Sequence, residues 1–528
     1  MARDSKINRR QLLIGTTGIA ATIGVGSAAV LPPARFGDVC DCHIPERNNY
    51  LLLDSRLIAK TDNVELRLGD AKKHPENPLF GEDRPWEPYF DNAYPNVLYD
   101  EQEKLFKCWY MPFIISEAHA RTPRGQRKYG TLEKLCTTIE QSTGRSPLEE
   151  GICYATSPDG IHWEKPDLGL IEFDGNKRNN IVARQFHGPK IIKELREPDP
   201  ERRYKMFFHD QTGVRNGSKG RGHSVAFSKD GLQWGAAIQC PHIGGVYDGA
   251  HSAFWTPQLR KYVGFMRMFT HGRAIGRTES DDFQNWTESR LVLHGRDYVE
   301  TPAEKEYSGS LCFRKQTYSM PVFPFGDVYL GLPAIYDIEL DVVQTELAWS
   351  PDSIQWHRIC PGTPVIAPSQ RDVEAPFRVP KDSKSYDWGC IYAADAPVVM
   401  ANEIRLYYNG SNGLHFDWRD GFFCLATLPP DGFAGYVPIN LGRLGTVLTV
   451  PLLCTGSNLQ VRMDSDSELL EIKVFGDGPP SLGHASGQSS GIVQWTNGGS
   501  LARYQGKRVQ VEFTLKTAKL YSLRFGAD

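Results

Sequence analysis

Residues 154–163 read YATSPDGIHW, and residues 225–234 read VAFSKDGLQW. The phrase returns as GRTESDDFQNW at 276–286 and as LAWSPDSIQWHR at 347–358. A worn copy, CLATLPPDGF, occupies 424–433. Each copy runs as a short alternating strand, turns at a dipeptide such as Asp-Gly, and usually ends on a tryptophan. Recurrence at intervals of tens of residues marks a repeat architecture. Five such units, each with room for two hairpins, predict four-stranded antiparallel sheets arranged radially, a five-bladed β-propeller. Trp163, Trp234, Trp286 and Trp356 are then expected to pack between blades.

Working outward from the repeats divides the chain into four parts. Residues 1–35 read as an export signal and linker, because Arg9-Arg10 precedes an apolar Gly/Ala-rich run from Leu13 to Leu31. The paired arginines suggest twin-arginine export to the periplasm or medium, with no membrane anchor left after cleavage. Residues 36–84 form a lead-in, 85–435 the propeller, and 436–528 a second unit. Within that last unit, residues 459–463, 468–475, 509–515 and 520–525 alternate as half-buried strands between Gly/Pro/Ser turns, which predicts a small β-sandwich. The whole fold is expected to be all-β.

Composition narrows the function classes. A formal net charge of −3 gives no electrostatic basis for binding nucleic acid. No GxSxG elbow serves a hydrolase nucleophile, and no phosphate loop, dinucleotide fingerprint or HExxH spacing occurs. No cofactor and no metal site is expected, and no motif calls for calcium in the axial channel. The 11 cysteines include Cys108, Cys153, Cys312 and Cys424 in apolar runs, where they read as small buried hydrophobes.

In a propeller, the starts of the innermost strands converge although they lie far apart in sequence. The residues preceding those strands are therefore the candidates for chemistry. Asp91 stands before the first strand of blade one, Asp248 in blade three and Glu306 in blade four, where Glu300 and Glu304 compete with it. Carboxylates gathered in one funnel suit glycosidic bond cleavage: one acts as base or nucleophile, and a second, kept protonated by its neighbours, acts as acid. Asn92, His187, His251, Arg267, His271, Arg273 and Asp387 are the expected substrate-binding residues, the arginines suiting a carboxylate or sulfate on an acidic sugar. Ordinary structural roles compete at each position, as satisfied histidines, local ion pairs or turn caps.

The chain resembles the five-bladed propeller glycoside hydrolases, the superfamily of invertase/levanase-like and arabinanase/xylosidase-like enzymes. The resemblance spans about residues 85–435, and the C-terminal unit is similar to the sandwich of the invertase-like branch. It implies a catalytic Asp91 in blade one, a second Asp248 in blade three and an acid Glu306 in blade four. The local motifs depart from that pattern. Residues 90–96 read FDNAYPN where the invertase-like motif is Asn-Asp-Pro-Asn-Gly, Tyr247-Asp248-Gly249 stands where Arg-Asp-Pro would, and no Glu-Cys precedes the blade-four strand. Sialidase-like propellers also carry the S-x-D-G-x-x-W phrase, but with six blades and an arginine triad. The function expected is an exported, exo-acting glycosidase on an oligo- or polysaccharide. A non-catalytic carbohydrate-binding protein on the same scaffold is the alternative.

Overall fold

The computed structural model describes residues 49–526 except 145, 212–213, 216–217, 220–221, 245–247, 296–312, 372–384, 465–467, 487–490 and 497. The segment read as an export signal, Cys312, Glu300, Glu304 and Glu306 lie outside the described residues. What is described is an all-β protein. Three antiparallel sheets follow one another in simple meander order. The first contains Tyr89–Asp100, Leu105–Ser116, Leu148–Ser157 and Ile181–Arg184. The second contains Phe186–Lys193, Tyr204–Asp210, Gly222–Ser228 and Ile238–Gln239, and the third Ser252–Thr256, Lys261–Phe269, Arg273–Ser280 and Arg290–His294.

The fourth unit is bent. Its strands Val322–Phe325, Val328–Gly331, Leu347–Ser350 and His357–Ile359 form one sheet. The preceding halves, Lys315–Ser319, Ala334–Asp337 and Val342–Thr345, join the fifth sheet through a single parallel bridge between Val343 and Cys390. Pro321 and Pro333 fall at two of these breaks, where a missing N–H interrupts the ladder. The fifth sheet is built on Cys390–Ala393, Ile404–Ser411 and Gly421–Leu428, and its outer edge is completed by Lys72–Lys73 and Phe80–Gly81 from the lead-in.

The repeated phrase has one physical construction. In each intact copy the serine hydroxyl donates to the aspartate two residues on, at 2.9 Å for Ser157–Asp159, 2.9 Å for Ser228–Asp230, 3.1 Å for Ser280–Asp282 and 3.1 Å for Ser350–Asp352. The aspartate then accepts two backbone amides, as Asp159 does from Ile161 and His162. The residue after the aspartate is left-handed in each of the four intact copies. Gly160 and Gly231 take φ of 78° and 77° easily, whereas Phe283 and Ser353 hold 64° and 66°.

Each turn packs on the sheet before it. The Trp109 indole N–H donates to Gly231 O at 2.7 Å, Trp286 stacks on Phe207 with centroids 4.9 Å apart, and Arg277 Nε donates to Ser353 Oγ at 3.0 Å. In the worn copy, Phe433 packs on Phe323 and Phe325 of the fourth unit. The first turn packs on the fifth sheet, where the Tyr407 hydroxyl donates to Gly160 O at 2.9 Å. Burial on both faces follows: every residue of Tyr204–Asp210 is buried.

Two features differ from the expectation drawn from sequence. Helices Glu117–Arg121 and Leu132–Thr143 are inserted within the first sheet, the longer one ending at left-handed Gly144. The lead-in, read as a separate stretch, pairs into the C-terminal sheets instead. Asn49–Leu51 pairs with Leu520–Gly526, Ile58–Asp62 with Gly445–Thr449, and Val64–Leu68 with Ala434–Pro438. These sheets enclose their own apolar core, including Val447, Leu459, Ile472, Val511 and Phe513. Here alternation returns: Arg508–Leu515 buries every second residue. The eight described cysteines are all free thiols, and Cys108, Cys153 and Cys424 are fully buried. Among the described residues no helix is long and apolar enough to cross a membrane.

The packing of turn on neighbouring sheet has a measurable consequence. Trp286 is 3% exposed and stacked on Phe207. Trp286→Ala is expected to destabilise the protein by about 3–5 kcal/mol, read as a lowered midpoint in urea denaturation. A loss within about 0.5 kcal/mol would show that the indole carries no inter-sheet packing.

Candidate functional site

The starts of the first strands lie against one another, and polar side chains crowd there. Asp91 and Asn92 sit on the strand of the first sheet, 6% and 1% exposed. A carboxylate so buried needs compensation. The fully buried Arg419 guanidinium supplies it, pairing with Asp91 and donating to Asn92 Oδ1 at 3.1 Å. The Tyr89 hydroxyl donates to Asp91 at 2.9 Å, and Asn92 Nδ2 donates to the Tyr94 hydroxyl at 2.8 Å. Burial works to lower the Arg419 pKa, but its surroundings, Tyr89 first, then Cys390 and Asp91, outweigh that and raise it well above its ordinary value.

Asp248 is the accessible carboxylate of the cluster, its side chain 41% exposed. Arg267 Nη1 donates to its Oδ2 at 2.7 Å, and His187 Nε2 lies 3.2 Å from its Oδ1. Arg267 is held from behind, donating twice to Tyr318 O at 3.0 and 2.8 Å, with its guanidinium 4.0 Å over the Tyr318 ring. Gly249 adopts φ of 104°, and a Cβ there would stand 2.8 Å from the Arg267 guanidinium. The backbone must therefore be bare for the arginine to reach Asp248.

His187 bridges two carboxylates, with Nδ1 2.9 Å from Glu150 Oε1 and Nε2 facing Asp248. Burial favours the neutral ring, but the Glu150 charge and hydrogen bonds to Asp248 and Glu150 outweigh it and raise the pKa from 6.5 to about 10. The Gly249 amide lies 3.0 Å from the same Nε2 and would donate only to a neutral ring. Two facing carboxylates decide for the imidazolium. His251 is the opposite case. Burial and then His223 hold its pKa well below the ordinary value. Its Nδ1 lies 2.8 Å from Gly188 O and its Nε2 2.8 Å from His223 Nδ1. It ties the second sheet to the loop carrying Asp248.

Asp91, Asn92, His187, Asp248 and Arg267 thus belong to one cluster, centred on Tyr94 and Tyr318. The Tyr94 pKa is raised by burial, and the charges of both Asp248 and Asp91 reach that hydroxyl. Arg273 adjoins the cluster through Tyr318, 5.1 Å from its ring. His271 stands apart, exposed at a hairpin tip beside Phe313. Asp387 is fully buried and bound by Lys73, Ser369 and Tyr408, which gives it a bracing role under the fifth sheet. Among the described residues no group of side chains could hold a metal ion. A cleft of about 610 Å³ lies elsewhere, lined by Asn49, Asp327, Asp431 and Arg524, and touches none of these residues.

Glu150, Tyr94, Tyr318 and Arg419 were not among the residues expected from sequence. Glu149-Glu150 opening the apolar run of the third strand was one available signal. The run Asp417-Trp418-Arg419-Asp420 before another apolar strand was a second.

No protein-family model matches the chain, and no curated protein matches it. Similar solved structures include an N-acetylgalactosamine deacetylase from F. plautii in complex with blood group B trisaccharide (TM-score 0.42, 13% identity, 68% of this chain and 95% of that one). A glycosyl hydrolase from Bacteroides ovatus gives a TM-score of 0.40 at 15% identity, over 69% of this chain and 94% of that one. A third match comes from a family of mannoside phosphorylases and glycoside hydrolases that target β-1,2 mannosidic linkages in Candida mannan (TM-score 0.39, 16% identity, 69% and 95%).

The raised His187 pKa fixes the sign of a pH effect. A folded-state value of about 10 against 6.5 unfolded contributes stability that is fully present below 6.5 and lost as pH rises through 10. Wild type and His187→Gln should therefore differ most in denaturation midpoint at pH 6 and converge by pH 10.5. A gap that stays constant over that range would place the imidazolium elsewhere.

Proposed function

We propose that this protein is an exported glycoside hydrolase built as a closed five-bladed propeller with a C-terminal β-sandwich, acting at the end of a sugar chain. Support for closure comes from hydrogen bonds between neighbouring units. Asn96 donates to Pro189 O at 2.8 Å, His251 N–H to Gly188 O at 3.0 Å, and Ser252 Oγ to Val322 O at 3.0 Å. Thr345 Oγ1 donates to Ile391 O at 2.8 Å, and Asp395 N–H returns to Pro95 O at 3.0 Å. The series runs from the first unit back to the first, the fourth unit meeting the fifth through the strand Val342–Thr345 that joins the fifth sheet. The export segment is the basis for a periplasmic or secreted location.

The observation that carries the functional reading is the half-exposed Asp248 carboxylate, clamped by Arg267 and His187 beside the buried Asp91. A fixed anion at the mouth of a tyrosine-walled cluster suits stabilisation of the positive charge that builds on a sugar ring as its glycosidic bond breaks. Asn92 and the surrounding tyrosines offer donors and acceptors for hydroxyls. Glu306 remains the proposed acid.

One observation favours the second reading, a sugar-binding protein without hydrolysis. Both aspartates are ion-paired to arginines, and Asp91 is 6% exposed. Product release from a panel of polysaccharides and aryl glycosides separates the two. Under the hydrolase reading, Asp248→Asn should lower release on the order of 10²- to 10³-fold with the fold intact by circular dichroism. Sugar bound on a glycan array with no release by wild type would establish the binder instead.

A further inference from the structure

Among the described residues, Arg273 is the one arginine near the cluster that has no carboxylate partner. It opens the strand Arg273–Ser280 and is 8% exposed. Its Nη1 donates to Gln316 Oε1 at 3.0 Å, an acceptor that it shares with its own backbone N–H at 3.1 Å. Its Nε is buried with no hydrogen-bond partner. Among the described residues no carboxylate pairs with it, whereas Arg267 has Asp248, Arg277 has Glu279 and Arg419 has Asp91. The surroundings are aromatic instead, with Tyr318 and Tyr336 each 5.1 Å from the guanidinium and Phe269 and Phe416 each 5.9 Å away. Asp341, beyond Tyr336, spends its oxygens on the Tyr336 hydroxyl at 2.9 Å and the Phe416 amide at 3.1 Å.

Ring faces offset part of the cost of burying a guanidinium, but they leave its directional donors unused. A planar fork with free N–H groups matches an oxyanion bearing two or more oxygens. Tyr318 touches both arginines, its ring 5.1 Å from the Arg273 guanidinium and 4.0 Å from that of Arg267, which holds Asp248. A sugar seated against Asp248 would carry a neighbouring substituent towards Arg273. We infer that Arg273 receives an oxyanion on the sugar itself, a uronate carboxylate or a sulfate ester, so that the site selects acidic over neutral glycans. The inference rests on the reading that this site takes a sugar, but it does not require hydrolysis.

The test is calorimetric titration of the full mature protein with matched ligands: galacturonate, galactose 6-sulfate and galactose, then glucuronate and glucose, with inorganic sulfate as a further arm. Wild type is expected to bind one acidic class about tenfold or more tighter than the neutral partner, the preferred arm naming carboxylate or sulfate. Arg273→Gln should remove that preference, hold neutral-sugar affinity within about twofold and keep its melting temperature. If Arg273→Gln does not fold, Arg273→Lys retains the charge without the fork and should lose most of the preference. Equal affinity for acidic and neutral sugars in wild type, or a preference that survives in the variant, overturns the inference. Hydrolysis of neutral sugars without acid preference sinks it and leaves the hydrolase reading standing. Acid preference with no hydrolysis does the reverse, and no binding of any sugar overturns both.

Discussion

The structure depends on one local device, a serine hydroxyl bonded to the aspartate two residues later, with a left-handed residue next in line. The device satisfies the turn internally, so it needs no help from solvent or neighbours to hold its shape. Its outward surface is then free to pack on the adjacent sheet. In the first two copies the left-handed residue is glycine, and its bareness is used. A Cβ on Gly231 would stand 2.7 Å from Trp109, and one on Gly160 would stand 2.3 Å from the Tyr407 hydroxyl. Where Phe283 takes the position, its own ring enters the core and packs 5.3 Å from Trp286. Conformational strain at that site is offset by apolar burial, since Phe283 is fully buried. The worn fifth copy shows what happens when the serine is lost. Asp431 no longer closes a turn but accepts from Ser522 at 2.7 Å and Asn49 at 3.2 Å, binding the last unit to the C-terminal sheets.

Packing sheet on sheet forces the first strands together, and that crowding determines the electrostatics of the site. Space between them is too confined for bulk hydration, so every charge there must find a protein partner or remain costly. The pairs that result cross the fold. Arg419 reaches Asp91 from 328 residues away, Arg267 reaches Asp248 across a hairpin, and His187 joins Glu150 of one sheet to the Asp248 loop of another. Lys190 pairs with Asp395 among the same strands, where burial lowers its pKa to about 7. These pairs specify which strand starts meet as much as they stabilise the meeting. A mismatched arrangement would bury unpaired charge.

The turns and the strand character of the repeats were legible because both are local. Ser157, Asp159 and Gly160 are neighbours in sequence, and their consequence is a turn at that position. Strand starts marked by Asp91, Asp248 and His187 could be picked out for the same reason, since a polar residue before an apolar alternating run is visible in a few residues. Their partners could not be. Nothing near Asp91 announces Arg419, and nothing near Asp248 announces that Tyr318 will brace its arginine. The lead-in was misjudged by the same logic. Val64–Leu68 reads as one isolated strand, while its pairing partner Ala434–Pro438 lies beyond all five repeats. The helix Leu132–Thr143 escaped because its apolar positions are few. Leu132 and Ile139 are its buried residues, and they serve mainly to cover Trp418.

The two aspartates of the cluster are chemically unequal, and the difference follows from where their cations come from. Arg419 approaches Asp91 from within the protein and also holds Asn92, while Tyr89 caps the same carboxylate oxygen. Little of Asp91 is left to face a ligand. Arg267 and His187 approach Asp248 from behind and from the side, each anchored to something else, Tyr318 O in one case and Glu150 in the other. That leaves a carboxylate fixed in place yet open to solvent, which is preorganisation in the sense that matters for stabilising charge on a substrate. Asp91 is committed to the strand start, and Asp248 is the carboxylate that stays open to solvent; under the proposed reading it is the one that faces a ligand. An arrangement with both carboxylates equally exposed would repel itself. One with both equally buried would have nothing to offer. The asymmetry leaves one carboxylate of the cluster tied into the fold and the other held in place but open to solvent.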